Sequence, residues 1–146
     1  MYSIRNNTWN ALPDLPCNQK YSNATVHGDD ILIASNSSNE FSAFNYKTKT
    51  HRLVNIEIPS GHTILISHES ILYVICAKIW KITNFCDEEN QHVSYLDNSN
   101  TPNFNYTYSP YVYHGNKYYL VDCERNLLVF DVENEQLTSE SNKFAN

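Results

Sequence analysis

The sequence is poor in glycine and in positive charge, with 3 Gly in 146 residues and 10 Lys and Arg against 16 Asp and Glu. A formal net charge of -6 argues against nucleic-acid and membrane partners, because both need a basic surface to meet phosphates. Long apolar runs are also missing, so no segment reaches the roughly 20 residues of a membrane span. We therefore expect no nucleic acid and no membrane, and a basic or neutral protein as partner.

Signals for export and for catalysis are missing as well. No apolar stretch follows Met1 that could act as a secretion signal, which predicts a cytoplasmic protein whose four cysteines are free thiols rather than two disulfides. The metal-binding spacings C-x-x-C, H-x-x-x-H and H-E-x-x-H do not occur, nor do G-x-S-x-G and a glycine-rich phosphate loop. We predict no catalytic residue, no metal and no cofactor.

What the chain does contain is typical of a folded β protein. Hydrophobic residues make up 41% and aromatic residues 13%, with 11 Tyr, which is too apolar for a disordered chain. Frequent Asn, Ser and Tyr favour short strands joined by polar turns over helices. The length fits one domain. We predict a single all-β domain over residues 1–146.

One pattern occurs three times: a histidine, a short polar turn and a dense apolar strand. The copies lie roughly 40–50 residues apart, a period typical of repeats built from four strands. Continuous apolar runs predict inner strands that are buried on both faces. The three copies are 26–34, 67–75 and 113–121, with histidines His27, His68 and His114.

Each copy is followed by a polar loop, a further strand, a turn and an outer strand, which completes a four-stranded unit. In the middle copy the apolar residues of 71–82 also fit a helical spacing, but β-branched side chains favour strands there. Outer strands are predicted near Leu53, Val93 and Leu137, and a fourth candidate near Trp9 belongs to a preceding unit or closes against the last one. The predicted units are 17–58, 59–97 and 98–140.

Polar residues at the turns have a structural interpretation. The three histidines occupy equivalent turns and are expected to bond the local backbone rather than to converge on one metal ion. The acidic clusters Asp29-Asp30 and 87–89 are expected to be solvated turns.

Two segments resemble kelch repeats. The segment 9–16 is similar to the kelch pattern W-x-x-L-P-x-L-P, and the segment 44–53 is similar to Y-D-x-x-T-x-x-W. The resemblance implies a β-propeller-like fold of three four-stranded antiparallel blades. The usual double glycine after the second strand is replaced by Ala34-Ser35, Cys76-Ala77 and Asp122-Cys123.

Three blades are fewer than the four to eight of closed propellers. We therefore expect an incomplete propeller or one completed by oligomerisation, for example by a second copy that makes a six-bladed ring. The alternative is that the chain is part of a longer propeller or a structural subunit of a larger complex, in which other subunits cover the open faces.

The kelch resemblance implies a non-catalytic protein-protein interaction module, and it links the chain indirectly to substrate recruitment by ubiquitin ligases. The alternative function is that of a propeller enzyme of the mutarotase or oxidase kind acting on sugars, which copper analysis and a sugar-binding screen would detect. Partner contacts are expected in the loops after the second strands and between blades, because loops carry function on a rigid scaffold. The predicted partner-binding residues are Lys20, Asn36, Ser38, Lys78, Asn103, Asp122 and Arg125.

Overall fold

The computed structural model describes residues 2–9, 11, 14, 22–35, 41–56, 63–76, 78–87, 89–96, 111–121 and 126–140. Within these ranges the chain forms fourteen strands and no helix. The strands are β1 (Tyr2–Ser3), β2 (Thr8–Trp9), β3 (Ser22–His27), β4 (Asp30–Ser35), β5 (Phe41–Asn45), β6 (Thr50–Val54), β7 (Ile64–His68), β8 (Ile71–Ile75), β9 (Ile79–Thr83), β10 (His92–Leu96), β11 (Val112–His114), β12 (Lys117–Val121), β13 (Leu127–Asp131) and β14 (Gln136–Glu140).

The strands make three four-stranded antiparallel sheets and one two-stranded hairpin. Sheet I contains β3 to β6, sheet II contains β7 to β10, and sheet III contains β11 to β14, each in chain order. The prediction of an all-β chain with three four-stranded antiparallel sheets is confirmed, and the helical alternative for 71–82 is wrong because β8 and β9 are strands there. The division into units at 17–58, 59–97 and 98–140 stays a prediction.

The turns between the first two strands of each sheet have two residues. In sheet I, His27 pairs with Asp30 across the turn, and Gly28 has a φ of 59°. In sheet III, Gly115 and Asn116 have φ of 55° and 60°, which is the pattern of a type I′ turn. Two of the few glycines in the chain therefore stand where a positive φ is required.

The last two strands of sheets I and III are joined by four-residue turns with an equivalent side-chain cap. Asn45 Oδ1 accepts hydrogen bonds from the backbone N–H groups of Lys47 and Thr48, at 3.1 and 3.0 Å. Asp131 Oδ1 likewise accepts from the N–H groups of the second and third turn residues. Asn and Asp are favoured at this position because their short side chains mimic a backbone turn.

Sheet II lies between the other two sheets and is covered on both faces. One core cluster joins it to sheet I through Leu32, Leu65 and Val74, and a second joins it to sheet III through Tyr73 and Phe130. Four of the five residues are buried in β8 and also in β5, whereas burial alternates along β12 and along the first five residues of β4. The prediction that the second strands are buried on both faces therefore holds for β8, which lies between two sheets, and is wrong for β12, in which only every second residue is buried.

The first strands of the three sheets lie close together. β3 lies beside β7, and the backbone N–H of Leu65 donates to Asn23 Oδ1 at 3.2 Å. The hydroxyls of Thr25 and Tyr111 share a hydrogen bond of 2.9 Å, which links β3 to the residue just before β11. The three sheets thus approach one another along their first strands.

Two of the three recurrent histidines contact neighbouring sheets instead of only the local backbone. His27 is buried and shares a hydrogen bond of 2.9 Å with the hydroxyl of Ser67 in sheet II. The ring of His68 packs edge-on against Tyr118 of sheet III. His114, at the equivalent position of sheet III, is exposed. The expectation of local backbone bonds is therefore wrong for His27, whose ring forms part of the contact between two sheets.

His27 should make the stability of the fold sensitive to mild acid. Burial lowers its pKa below the ordinary 6.5, although the nearby Asp30 acts in the opposite direction. As the pH falls through 6.5, the unfolded chain therefore takes up a proton at His27 more readily than the folded chain does, and the free energy of unfolding falls by at most about 1 kcal/mol between pH 6.5 and 5.5. In urea unfolding, the His27→Gln variant should lose less stability between pH 6.5 and 5.5 than the unchanged chain does.

The exposed His114 provides the matched control for that measurement. His114→Gln should leave the difference in unfolding free energy between pH 7.5 and 5.5 close to that of the unchanged chain. An equal effect of the two substitutions would show that burial at the contact between sheets I and II is not the cause.

Trp9 lies outside the three large sheets. It belongs to β2, which pairs with β1 in the N-terminal hairpin, and its side chain is 81% exposed. The other outer-strand markers lie in the last strands of their sheets, Leu53 in β6, Val93 in β10 and Leu137 in β14. No described strand of sheet III pairs with β2, so Trp9 does not close against the last sheet within the ranges given above.

Candidate functional site

The best candidate for a binding site is an exposed aromatic surface at the outer edge of sheet II, formed by Lys78, Trp80, Val93 and Tyr95 and called here the Tyr95 surface. Tyr95 is 58% exposed and Val93 38% exposed. Trp80 and Tyr95 are directly opposite each other on β9 and β10, and their ring centroids are 6.1 Å apart. Trp80 and Lys78 both contact Tyr95, and Val93 lies two residues before Tyr95 on the same face of β10.

The Tyr95 surface lies on the same face of sheet II as the buried contact with sheet I. Strand alternation puts Val93, Tyr95 and Trp80 on the face of sheet II that also carries the buried Leu65 and Val74. Trp80 packs against the core cluster shared with sheet I. The exposed residues therefore lie at the periphery of the contact between sheets I and II, on a rigid base.

Lys78 is held beside Tyr95 by the short loop between β8 and β9. The carbonyl oxygen of Lys78 accepts hydrogen bonds from the backbone N–H of Cys76, at 2.9 Å, and from its thiol, at 3.4 Å. Cys76 is buried and anchors the loop in the core. The Lys78 ammonium lies 4.8 Å from the centre of the Tyr95 ring, a cation–π contact that orients both side chains.

The indole N–H of Trp80 adds an unusual feature to the Tyr95 surface. Its nitrogen is buried and has no hydrogen-bond partner in the part of the chain that the structure describes. A buried polar group without a partner costs about 1–3 kcal/mol, so it is uncommon in a core selected for stability alone. Buried polar groups without a hydrogen-bond partner occur preferentially at functional sites.

A second candidate is a cavity of about 690 Å³ at the opposite, turn-bearing end of sheet I. Asp30 is buried there, and it accepts a hydrogen bond from the Asn45 amide and one from the Arg52 guanidinium, both at 2.9 Å. The expectation that Asp30 is a solvated turn residue is therefore wrong. The Asp29 carboxylate pairs with the Lys47 ammonium at 2.8 Å, and both side chains of this pair are exposed.

The chemistry of this cavity does not favour a catalytic site. Asp30, Asn45 and Arg52 already bond one another, and the hydroxyls of Thr48 and Thr50 bond each other at 2.7 Å. Cys86 is exposed as a residue, but partial desolvation of its thiol, and secondarily the charge of Asp30, raises the pKa of the thiol, which keeps it protonated at neutral pH and weakens it as a nucleophile.

The described residues include no group of three or more His, Cys, Asp and Glu that could hold a metal ion. Cys76 and Cys86 are free thiols, while Cys17 and Cys123 lie outside the described ranges. No helix that could cross a membrane is present among the residues that were placed.

A smaller cavity of about 330 Å³ lies between the turn ends of sheets II and III. Glu135 accepts hydrogen bonds there from the Tyr73 hydroxyl at 3.0 Å and from the Lys81 ammonium at 2.5 Å. Burial and the neighbouring Glu135 raise the pKa of Tyr73, so its phenol stays protonated and remains a donor. Because this network joins sheets II and III, its role is to stabilise the contact between them.

One predicted partner-binding residue, Lys78, belongs to the Tyr95 surface and is exposed. The sequence reasoning missed Trp80 and Tyr95 as contact residues and used Val93 only to mark an outer strand. The available signal was the segment 92–95, in which polar and apolar residues alternate without Asp, Glu, Lys or Arg. The other predicted contact residues lie outside the described ranges, namely Lys20, Asn36, Ser38, Asn103, Asp122 and Arg125.

No family model matches the chain, and no curated protein sequence matches it. The candidate site therefore rests on the geometry described above.

Proposed function

We propose that the protein is a non-catalytic protein-protein interaction module of kelch type that binds its partner through the Tyr95 surface. The observation that carries this proposal is the cluster of Lys78, Trp80, Val93 and Tyr95 on a rigid sheet edge. Aromatic side chains dominate the energetics of protein interfaces because they bury a large area at low entropic cost. A cation beside them adds selectivity for the charge of the partner.

The proposed scaffold is a propeller-like stack of the three sheets. Support comes from the convergence of their first strands, in the contact of β3 with β7 and the hydrogen bond between Thr25 and Tyr111. Further support is that sheet II is buried on both faces, as a blade between two neighbours would be. Exposed Val26 on sheet I and Val112 on sheet III mark faces where a second copy is proposed to pack.

Replacing Tyr95 with alanine should weaken partner binding by at least about tenfold, because it removes the largest exposed ring of the surface. A displayed library of random twelve-residue peptides provides a partner surrogate. The library is selected against the immobilised full chain, and the affinity of enriched peptides is then measured by fluorescence anisotropy for the unchanged chain and for Tyr95→Ala.

Leu53→Ala is the matched control for this measurement. Leu53 is 57% exposed and lies on β6, the corresponding outer strand of sheet I. Its substitution should change the peptide affinity by less than about twofold. Enrichment of no peptide, or of peptides that bind Tyr95→Ala as tightly as the unchanged chain, would contradict the proposed binding surface.

A further inference from the structure

The Tyr95 surface borders the edge of sheet II that no other described strand covers. β10 is the terminal strand of sheet II and pairs only with β9 in the part of the chain described above. An edge strand presents a row of backbone N–H and C=O groups toward the outside, which is a template for another strand. Two residues of the Tyr95 surface, Val93 and Tyr95, therefore lie on the strand that presents this backbone edge.

The three outer strands of the sheets differ in how they protect their edges. Proteins commonly prevent unwanted strand pairing by placing charged side chains on edge strands. β6 carries Arg52, and β14 carries Glu140. β10, with the sequence His-Val-Ser-Tyr-Leu, carries no Asp, Glu, Lys or Arg. Of the three equivalent outer strands, β10 alone lacks such a charge, and it alone contains a tyrosine, the exposed Tyr95.

We infer that the partner adds an extended segment to β10 as a fifth strand of sheet II, with an apolar side chain against Trp80 and Tyr95 and a carboxylate near Lys78. This inference rests on the proposed function, since it specifies how the same surface is used. Backbone hydrogen bonds supply affinity in this mode, and alternate side chains supply specificity, because every second residue faces the same side.

The charge and position of Lys78 indicate which side chains of a partner would fit the Tyr95 surface. Lys78 is the cation of the surface, and its ammonium lies over the ring that the apolar partner residue would contact. A carboxylate one or two residues from that apolar residue would therefore meet the cation. The pair would be exposed to solvent, so its contribution is small and salt-dependent, and it serves mainly to fix the register of the added strand.

A scan of backbone N-methylation on the bound peptide tests this inference. The probe is the tightest library peptide whose binding depends on Tyr95, resynthesised with one N-methyl group at each position in turn. In an added strand every second N–H faces β10, so N-methylation should weaken binding about tenfold at alternate residues and change it less than about twofold between them. The modification leaves the protein unchanged, so misfolding cannot mimic the result.

A second measurement removes the charge of the peptide carboxylate and that of Lys78. Replacing the peptide carboxylate by its amide should weaken binding about threefold to the unchanged chain and have no effect with Lys78→Met. A Tyr95-dependent peptide whose N-methyl scan lacks the two-residue period would overturn strand addition and leave the proposed binding surface standing. Loss of dependence on Tyr95 itself would overturn both.

Discussion

Phe85→Ala should lower the free energy of unfolding by about 3–4 kcal/mol, among the largest effects expected of any single substitution in this chain. Phe85 lies in the loop between β9 and β10 and is only 1% exposed. Its ring packs edge-on against His27 at 5.5 Å and lies 6.1 Å from Phe41. Truncation would leave a cavity in the contact between sheets I and II, which the surrounding strands cannot close.

Thermal unfolding followed by circular dichroism measures this effect. A loss of that size lowers Tm by about 10 °C in a domain of this length. Tyr95→Ala is the control, because it removes an aromatic ring of similar size from an exposed position and should cost less than about 1 kcal/mol. Equal losses for the two variants would show that Phe85 is not part of the core.

The strands and most turns could be predicted from the sequence because their causes are local. The polar turn after His27 needs a positive φ, which Gly28 supplies, and the turns that follow Asn45 and Asp131 are capped by those residues themselves. Runs of β-branched residues then specify the strands between the turns. These signals extend over a few residues and recur in the sequence.

The contacts between sheets could not be predicted in this way. Nothing near Asp30 indicates that its carboxylate is buried, because its partner Arg52 is brought to it only by the pairing of β4 with β5 and β5 with β6. In the same way, the segment around Phe85 reads as a polar loop, and its ring becomes a core residue only when sheet I packs on sheet II.

The candidate site was predictable in part. Lys78 was identified from its loop position, and the charge-free segment 92–96 was visible as a pattern. The exposure of Tyr95 was not, since it depends on where sheet I stops covering the face of sheet II. Sequence periodicity distinguishes the two faces of a strand, but it does not show how far the neighbouring sheet extends over them.

Arg52→Ala should destabilise the fold by about 2 kcal/mol, because it removes a cationic partner from the buried carboxylate of Asp30. The Arg52 guanidinium donates to Asp30 Oδ2 at 2.9 Å, and the Asp30 side chain is 8% exposed. The cost stays below the roughly 3–5 kcal/mol of a fully buried pair, since the Arg52 side chain is 37% exposed and the Asn45 amide still bonds the carboxylate.

Lys47→Ala is the matched control, because Lys47 and Asp29 form an exposed pair between two adjacent turns of sheet I, and such pairs contribute little to stability. Urea unfolding of both variants gives the comparison, and equal losses would refute the distinction between the two pairs. The guanidinium of Arg52 also lies 5.5 Å from the centre of the Phe85 ring. The sum of the losses in free energy of unfolding for Arg52→Ala and Phe85→Ala should therefore exceed the loss measured for the double variant. The reason is that each substitution alone already removes the contact that the two side chains share.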